Sequence, residues 1–214
     1  MRFKFEVEFV EDRDDYFVEV CANRKVLHIG ACDAPYTLEK HRQGLLLHDK
    51  LIRVCREIVG IDVDCEAIRI MSDLGYKNVL CVDLNKANEI DFVPEVIVFG
   101  ETIEHLMNLE VALTGIKKIM NKDCELLIST PNAFCLYNFY LAIKNQEAVN
   151  EDHKHYFSPQ TLKQLLEANN LSSEEIIFTF LPREKESFTK KLSKKFIRYF
   201  PMLAETLVFR CKLK

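Results

Sequence analysis

The sequence lacks a CxxC pair, a long apolar run, an internal repeat and an excess of basic charge. Its eight cysteines, at positions 21, 32, 55, 65, 81, 124, 135 and 211, are scattered and sit mostly inside apolar runs. That spacing argues against a zinc site or a disulfide framework. It fits reduced thiols acting as small buried hydrophobes in a cytoplasmic protein. No stretch reaches the roughly 18 apolar residues of a membrane span. The opening Met-Arg-Phe-Lys-Phe-Glu is too charged for a secretory signal. A formal charge of −4 carries no global signal for nucleic acid, which makes it an unlikely partner.

What remains is a chain of 214 residues with 48% apolar and 29% charged side chains, enough to bury a core without staples. Short Val/Ile/Leu runs alternate with longer amphipathic ones. Strands are expected at Lys25–Gly30, Ile58–Val63, Asn78–Leu84, Glu95–Gly100 and Glu125–Thr130, the last halted by Pro131. Helices are expected over His41–Glu57, Glu66–Leu74 (stopped by Gly75) and Ile103–Met120. Strands apolar on both faces and separated by helices predict a doubly wound, Rossmann-like α/β fold. Beyond Pro131, Asn132–Ile143 reads as an aromatic-rich helix, and Ser158-Pro159 opens another as N-cap and N1. The last strands fall at Ile176–Leu181 and Thr206–Lys212. Residues 1–24 read as an extension packed on a single domain spanning 25–214, with a basic helical insertion at about 183–200.

Ligands in such sheets lie at the carboxyl ends of the strands, which directs attention to the residues there. Gly30 ends the first strand, where a missing Cβ lets the backbone approach a ligand. Asp62 ends the second, where a carboxylate can accept both hydroxyls of a ribose. The rival role for Asp62 is a helix cap, for which Asp64 is better placed. Asp83 ends the third strand and reads equally as a turn residue. After the fourth strand comes Glu101-x-x-Glu104-His105. On a helix these residues would share one face and converge on a point, half a shell for a divalent cation. His153 and His155 could complete it. The rival readings are a general base at His105 without metal, and a loop pinned by Glu104-His105. Between Arg183 and Arg198 lie seven Lys/Arg against two Glu, with a stripe of Phe188, Leu192, Phe196, Tyr199 and Phe200. The stripe is expected to face the core with lysines opposite. Docking on a membrane surface is the alternative.

The order VLHIG, VGID, NVLCVDL, EVIVFGETIEHL, ELLISTPN and HKHYFSPQTL resembles the class I S-adenosylmethionine-dependent methyltransferases, particularly the ubiquinone-biosynthesis and glycan-associated branches. The resemblance runs from about Lys25 to Ala168. It implies a seven-stranded, mostly parallel sheet with helices on both faces. It further implies S-adenosylmethionine as cofactor, contacted by His28, Gly30, Asp62, Val63, Asp83, Leu84 and Gly100. The first loop departs from the family pattern: His28 stands at the acid position, where a core histidine bonded to a neighbouring strand end is the rival reading, and of the GxGxG glycines only Gly30 is present. Glu101, Glu104 and His105 are similar to the metal-binding ExxEH of ubiquinone-biosynthesis O-methyltransferases. Small-RNA 2′-O-methyltransferases add a later histidine, matched better by His153 than by His155. The implied activity is O-methylation of a hydroxyl on a glycan or another vicinal diol, assisted by Mg, Mn or Zn. A catechol, an RNA ribose, or a non-catalytic binding role are the alternatives.

Overall fold

The computed structural model describes residues 3–182 and 188–214; for 188–191 it describes the backbone alone. Eight strands form one sheet: β1 (Glu8–Phe9), β2 (Lys25–Ile29), β3 (Glu57–Asp62), β4 (Val79–Cys81), β5 (Val96–Gly100), β6 (Glu125–Pro131), β7 (Leu171–Thr179) and β8 (Thr206–Leu213). Their order across the sheet is β1-β7-β8-β6-β5-β2-β3-β4. All neighbouring pairs are parallel except those that β8 makes with β6 and β7. The expected seven-stranded core is therefore present. One further strand, β1, comes from the N-terminal 24 residues.

The sequence periods explain the layers. Val96, Ile97, Val98 and Phe99 are all fully buried, so the two faces of β5 are both covered. On one face pack α5 (Leu109–Ile119) and α7 (Pro159–Ala168), through Leu113, Ile116, Leu162 and Leu166. On the other lie α1 (Arg13–Cys21) and α3 (Leu47–Ile52), through Phe17, Cys21, Leu47 and Leu51. Phe17 is wholly inside, and cutting it to alanine would cost about 3–5 kcal/mol. The 1–24 segment thus supplies both a strand and core side chains.

Local chemistry sets the element ends. Asp64 caps α4 (Cys65–Asp73), accepting from the amides of Glu66 and Ala67 at 3.0 Å, and so takes the capping role weighed for Asp62. Ser158 caps α7 in a reciprocal pair with Thr161, with Pro159 in the first turn. The long helix expected over His41–Glu57 is instead broken. Gly44, at φ +68°, ends α2 (Thr37–Gln43), and α3 starts afresh at Leu47. The helix expected from Ile103 is likewise split into a 3₁₀ turn at Ile103–His105 and α5, which Asn108 caps through the amide of Val111. β6 stops at Pro131 as expected, with the proline itself paired to Thr206 in the last register position.

The cysteines are not all reduced thiols: Cys65 and Cys81 are joined, between the start of α4 and the end of β4. Both are exposed, unlike most of the others. The apolar stripe of the basic segment is also placed differently from expectation. In α8 (Phe188–Ile197) and the turn after it, Ile197 is buried while Leu192, Phe196, Tyr199 and Phe200 are exposed. Residues 183–187 of the expected insertion lie outside the described residues. Among the described residues, no helix is long and apolar enough to cross a membrane.

Candidate active site

The strand ends divide into two edges. At the outer edge, β2 runs into Gly30, whose φ of +73° favours glycine. A Cβ there would lie 2.5 Å from Thr102 Oγ1, so the absent side chain accommodates the loop after β5. The amides of Gly30 and Ala31 donate to the Ile61 carbonyl. The Cys32 amide donates to Asp62 Oδ2 at 3.0 Å, and the Asp64 amide to Asp62 Oδ1 at 3.1 Å. Asp62 is thus fixed at the end of β3 with Val63 exposed beside it. Asp83 caps a 3₁₀ turn at Leu84–Glu89, with Oδ1 accepting from the Asn85 amide at 2.8 Å. The backbone of Leu84 lies against Gly115 of α5.

His28 corrects an expectation. Its ring is buried and stacked on that of His48, with the two Nδ1 atoms 3.1 Å apart. Burial, then the neighbouring His48, holds its pKa well below the usual histidine range. The ring is thus spent on a core contact with His48 behind the loop. Its place in a fully apolar strand was the signal available in the sequence.

The inner edge, after β5 and β6, is chemically unlike the outer one. Gly100 lies close to Phe17 and Ser129. Glu101 follows with φ +44°, an uncommon conformation for a residue with a side chain. Its Oε1 is 3.7 Å from Arg13 Nη1 and has no hydrogen-bond partner. Burial raises the Glu101 pKa against the pull of Arg13. Arg13 is itself buried, its fork gripping Asp14 Oδ1 at 2.6 and 2.9 Å, while Lys50 holds Asp14 Oδ2 at 2.8 Å. Burial alone would raise the Asp14 pKa, but Arg13 and Lys50 bring it below the usual range. Sequence reasoning missed Arg13, because nothing local marks a residue in an N-terminal helix as a neighbour of a strand end 88 positions away.

Glu104 is buried in the 3₁₀ turn. Its Oε2 accepts from Thr130 Oγ1 at 3.1 Å, and its Oε1 has no partner. Burial, then the nearby Glu101, pushes its carboxyl up to about 8. Its backbone carbonyl accepts from the amides of Lys154 and His155 at 2.7 and 3.1 Å, which docks the 150–157 loop on the turn. That brings His153 against His105, with ring centroids 4.7 Å apart and planes near perpendicular. Ligand atoms of Glu104, His105 and His153 all lie within 4.8 Å of one another. His153 Nδ1 and His155 Nε2 are buried without a hydrogen-bond partner. Glu101 is not part of this trio, because the left-handed turn at Glu101 replaces the helix on which the three would share a face.

The sheet order, with its single antiparallel strand β8 beside β7 and its acids at successive strand ends, defines a class I S-adenosylmethionine-dependent methyltransferase. Residues 24–176 match the family described as a methyltransferase domain, and the chain belongs to that family. It is therefore a methyltransferase whose donor is S-adenosylmethionine. No curated protein matches it significantly. Among solved structures, a SAM-dependent methyltransferase from Archaeoglobus fulgidus superposes with a TM-score of 0.58 at 20% identity, covering 92% of this chain and 90% of that one. The N-methyltransferase NodS from Bradyrhizobium japonicum, solved with S-adenosylhomocysteine, gives 0.57 at 14%, covering 94% and 85%. The small RNA methyltransferase HEN1 gives 0.61 at 15%, covering all of this chain but 27% of that one. At these identities the likeness is one of fold.

Proposed function

We propose that this enzyme methylates a hydroxyl of a vicinal-diol acceptor, a glycan or a related small molecule, with a divalent cation held by Glu104, His105 and His153. The observation that carries the reading is the convergence of one carboxylate and two imidazoles, with Glu104 Oε1 and His153 Nδ1 buried and unpartnered. Unpartnered buried polar atoms are costly, and a cation would satisfy both. Two nitrogen ligands and one oxygen suit Zn or Mn better than Mg. A bound cation supplies the positive charge that lowers the pKa of an acceptor hydroxyl. The protein's own groups do the rest. Thr130 orients Glu104 by donating to Oε2, and the Lys154 and His155 amides hold the turn in place.

On the donor side, Asp62 is the group we assign to the ribose hydroxyls. Each of its oxygens accepts one backbone amide and keeps capacity for a further bond. Gly30, Val63, Asp83, Leu84 and Gly100 complete the expected contacts around it. A second reading has support in the raised Glu104 carboxyl. A carboxylate that gains its proton near pH 8 suits a general base, and His105 beside it could share that work without metal. Calorimetric titration with Mn²⁺ or Zn²⁺, with and without S-adenosylhomocysteine present, separates the two. The cation should bind the wild type and fail to bind Glu104→Gln. Binding of the cation to neither would leave the general-base reading.

A further inference from the structure

The helix α6 (Leu136–Ile143) leaves the inner edge directly after β6, and its sequence, Leu-Tyr-Asn-Phe-Tyr-Leu-Ala-Ile, is apolar almost all round. A helix of that composition belongs in a core. Here only Leu141 is buried, while Tyr137, Phe139 and Tyr140 are about half exposed and Ile143 is 85% exposed. The end of α8 behaves in the same way, with Phe196, Tyr199 and Phe200 turned outward. The residues that flank the two segments are hydrogen-bonded to each other. Asn132, just before α6, donates from Nδ2 to the carbonyls of Met202 and Ala204, just after Phe200. α6 also borders the candidate site, since its Asn138 is hydrogen-bonded to Tyr156, next to His155.

Soluble monomers rarely expose contiguous apolar surface of this kind, and its charge context narrows what covers it. The chain has a net charge of −4, yet Arg183–Arg198 has seven Lys/Arg against two Glu. Some of that charge is used within the fold: Arg198 pairs with Glu11 at 2.5 Å, and Lys194 lies over the Phe180 ring. Lys195 is exposed, and Lys190 and Lys191 occupy the same helix. Tyrosine and phenylalanine interleaved with lysine is the composition of a segment lying in a lipid headgroup layer. There the rings enter the acyl boundary and the ammonium groups meet anionic phosphates. A protein partner would place less demand on a lysine-rich rim, since lysine is depleted at such interfaces.

We propose that the face formed by α6 and the end of α8 docks on an anionic lipid surface and sets the candidate site against it. The acceptor would then be an amphiphile whose hydroxylated head stands at the membrane. The docking itself does not depend on the proposed metal or acceptor chemistry.

The test is co-sedimentation of the full chain with phosphatidylcholine vesicles, with and without phosphatidylglycerol. Binding is expected to the anionic vesicles and to weaken as salt rises. Lys190→Glu/Lys191→Glu/Lys195→Glu should weaken it about a hundredfold or more, from the loss of three lysine charges. Phe196→Ser/Tyr199→Ser and Tyr137→Ser/Tyr140→Ser should weaken it independently of salt. All of these positions lie away from the strand-end acids, so affinity for S-adenosylhomocysteine should stay unchanged, which also verifies that each variant is folded. Equal, negligible sedimentation with both vesicle types would overturn the proposal. So would a concentration-dependent dimer, seen by light scattering, that the aromatic variants abolish.

Discussion

The outer and inner edges of the sheet handle their polar groups in opposite ways. At the outer edge, Asp64 and Asp83 accept backbone amides of their own loops, Asp62 accepts one from its own loop and one from the loop after β2, and Cys65–Cys81 ties two of those loops together. At the inner edge, Glu101, Glu104, His153 and His155 each carry one buried side-chain atom that accepts or donates no hydrogen bond within the protein. A folded chain tolerates such atoms only where something else satisfies them or where their reactivity is used. The contrast separates acids tied into the backbone from acids and imidazoles that keep hydrogen-bonding capacity to spare.

Four experiments would break or sharpen this contrast. The largest effect is expected at the inner edge. Glu104→Gln should lower turnover on the order of a hundredfold to ten-thousandfold, with unchanged S-adenosylhomocysteine affinity in calorimetry. Loss of cofactor affinity instead would move Glu104 to the donor side.

Acid should act behind the outer edge. His48 is buried and its pKa is pushed down to about 4 by burial. Its unfolded value is near 6.5, so the unfolded chain binds the extra proton first as pH falls. The stability due to His48 is full above pH 6.5 and is lost on descent towards pH 4, about 3 kcal/mol in all. Urea midpoints at pH 7 and pH 4.5 measure this, and His48→Gln should flatten the difference. His28, depressed in the same direction, adds to it.

Next comes Asp62→Ala, which removes a charged acceptor. If the ribose assignment holds, cofactor affinity should fall by about tenfold to a hundredfold. Unchanged calorimetric affinity would reduce Asp62 to a loop fastener. The smallest effect belongs to Asp83→Ala, a cap of one short turn. About 1 kcal/mol of stability should be lost, seen as a lowered urea midpoint, and S-adenosylhomocysteine affinity should fall by only about tenfold or less if Asp83 also meets the cofactor.

The parallel core was readable because its strands are uniform: both faces of β2, β3, β5 and β6 are covered, so Val/Ile/Leu runs stand out whatever the neighbours. Gly30, Asp62 and Asp83 could be placed at strand ends for the same reason. Breaks inside amphipathic stretches were less visible. Leu45 and Leu46 keep an apolar rhythm across Gly44, and Leu106 does so between the Ile103–His105 turn and α5, so two helices each were read as one. Side-chain partnerships across the fold left no local trace at all. His28 meets His48, and Arg13 meets Glu101, through tertiary packing alone. Four ligands were expected, Glu101, Glu104 and His105 from helical spacing and His153 from family resemblance, and the last three come together without that helical face. A 3₁₀ turn and a docked loop assemble them instead. The stripe with Phe196, Tyr199 and Phe200 was left between a core and a membrane-surface reading because periodicity defines a face without saying what lies against it.

The two amides that Lys154 and His155 donate to the Glu104 carbonyl have a thermodynamic corollary. They join a turn at one strand end to a loop 50 residues later, and His153 is carried by that loop. Anything that binds Glu104 and His153 together must favour the docked loop over the detached one. By reciprocity, whatever steadies the loop raises affinity for that ligand by the same factor. Hydrogen exchange at the Lys154 and His155 amides would therefore slow in proportion to ligand occupancy, a readout of binding that needs no acceptor and no turnover.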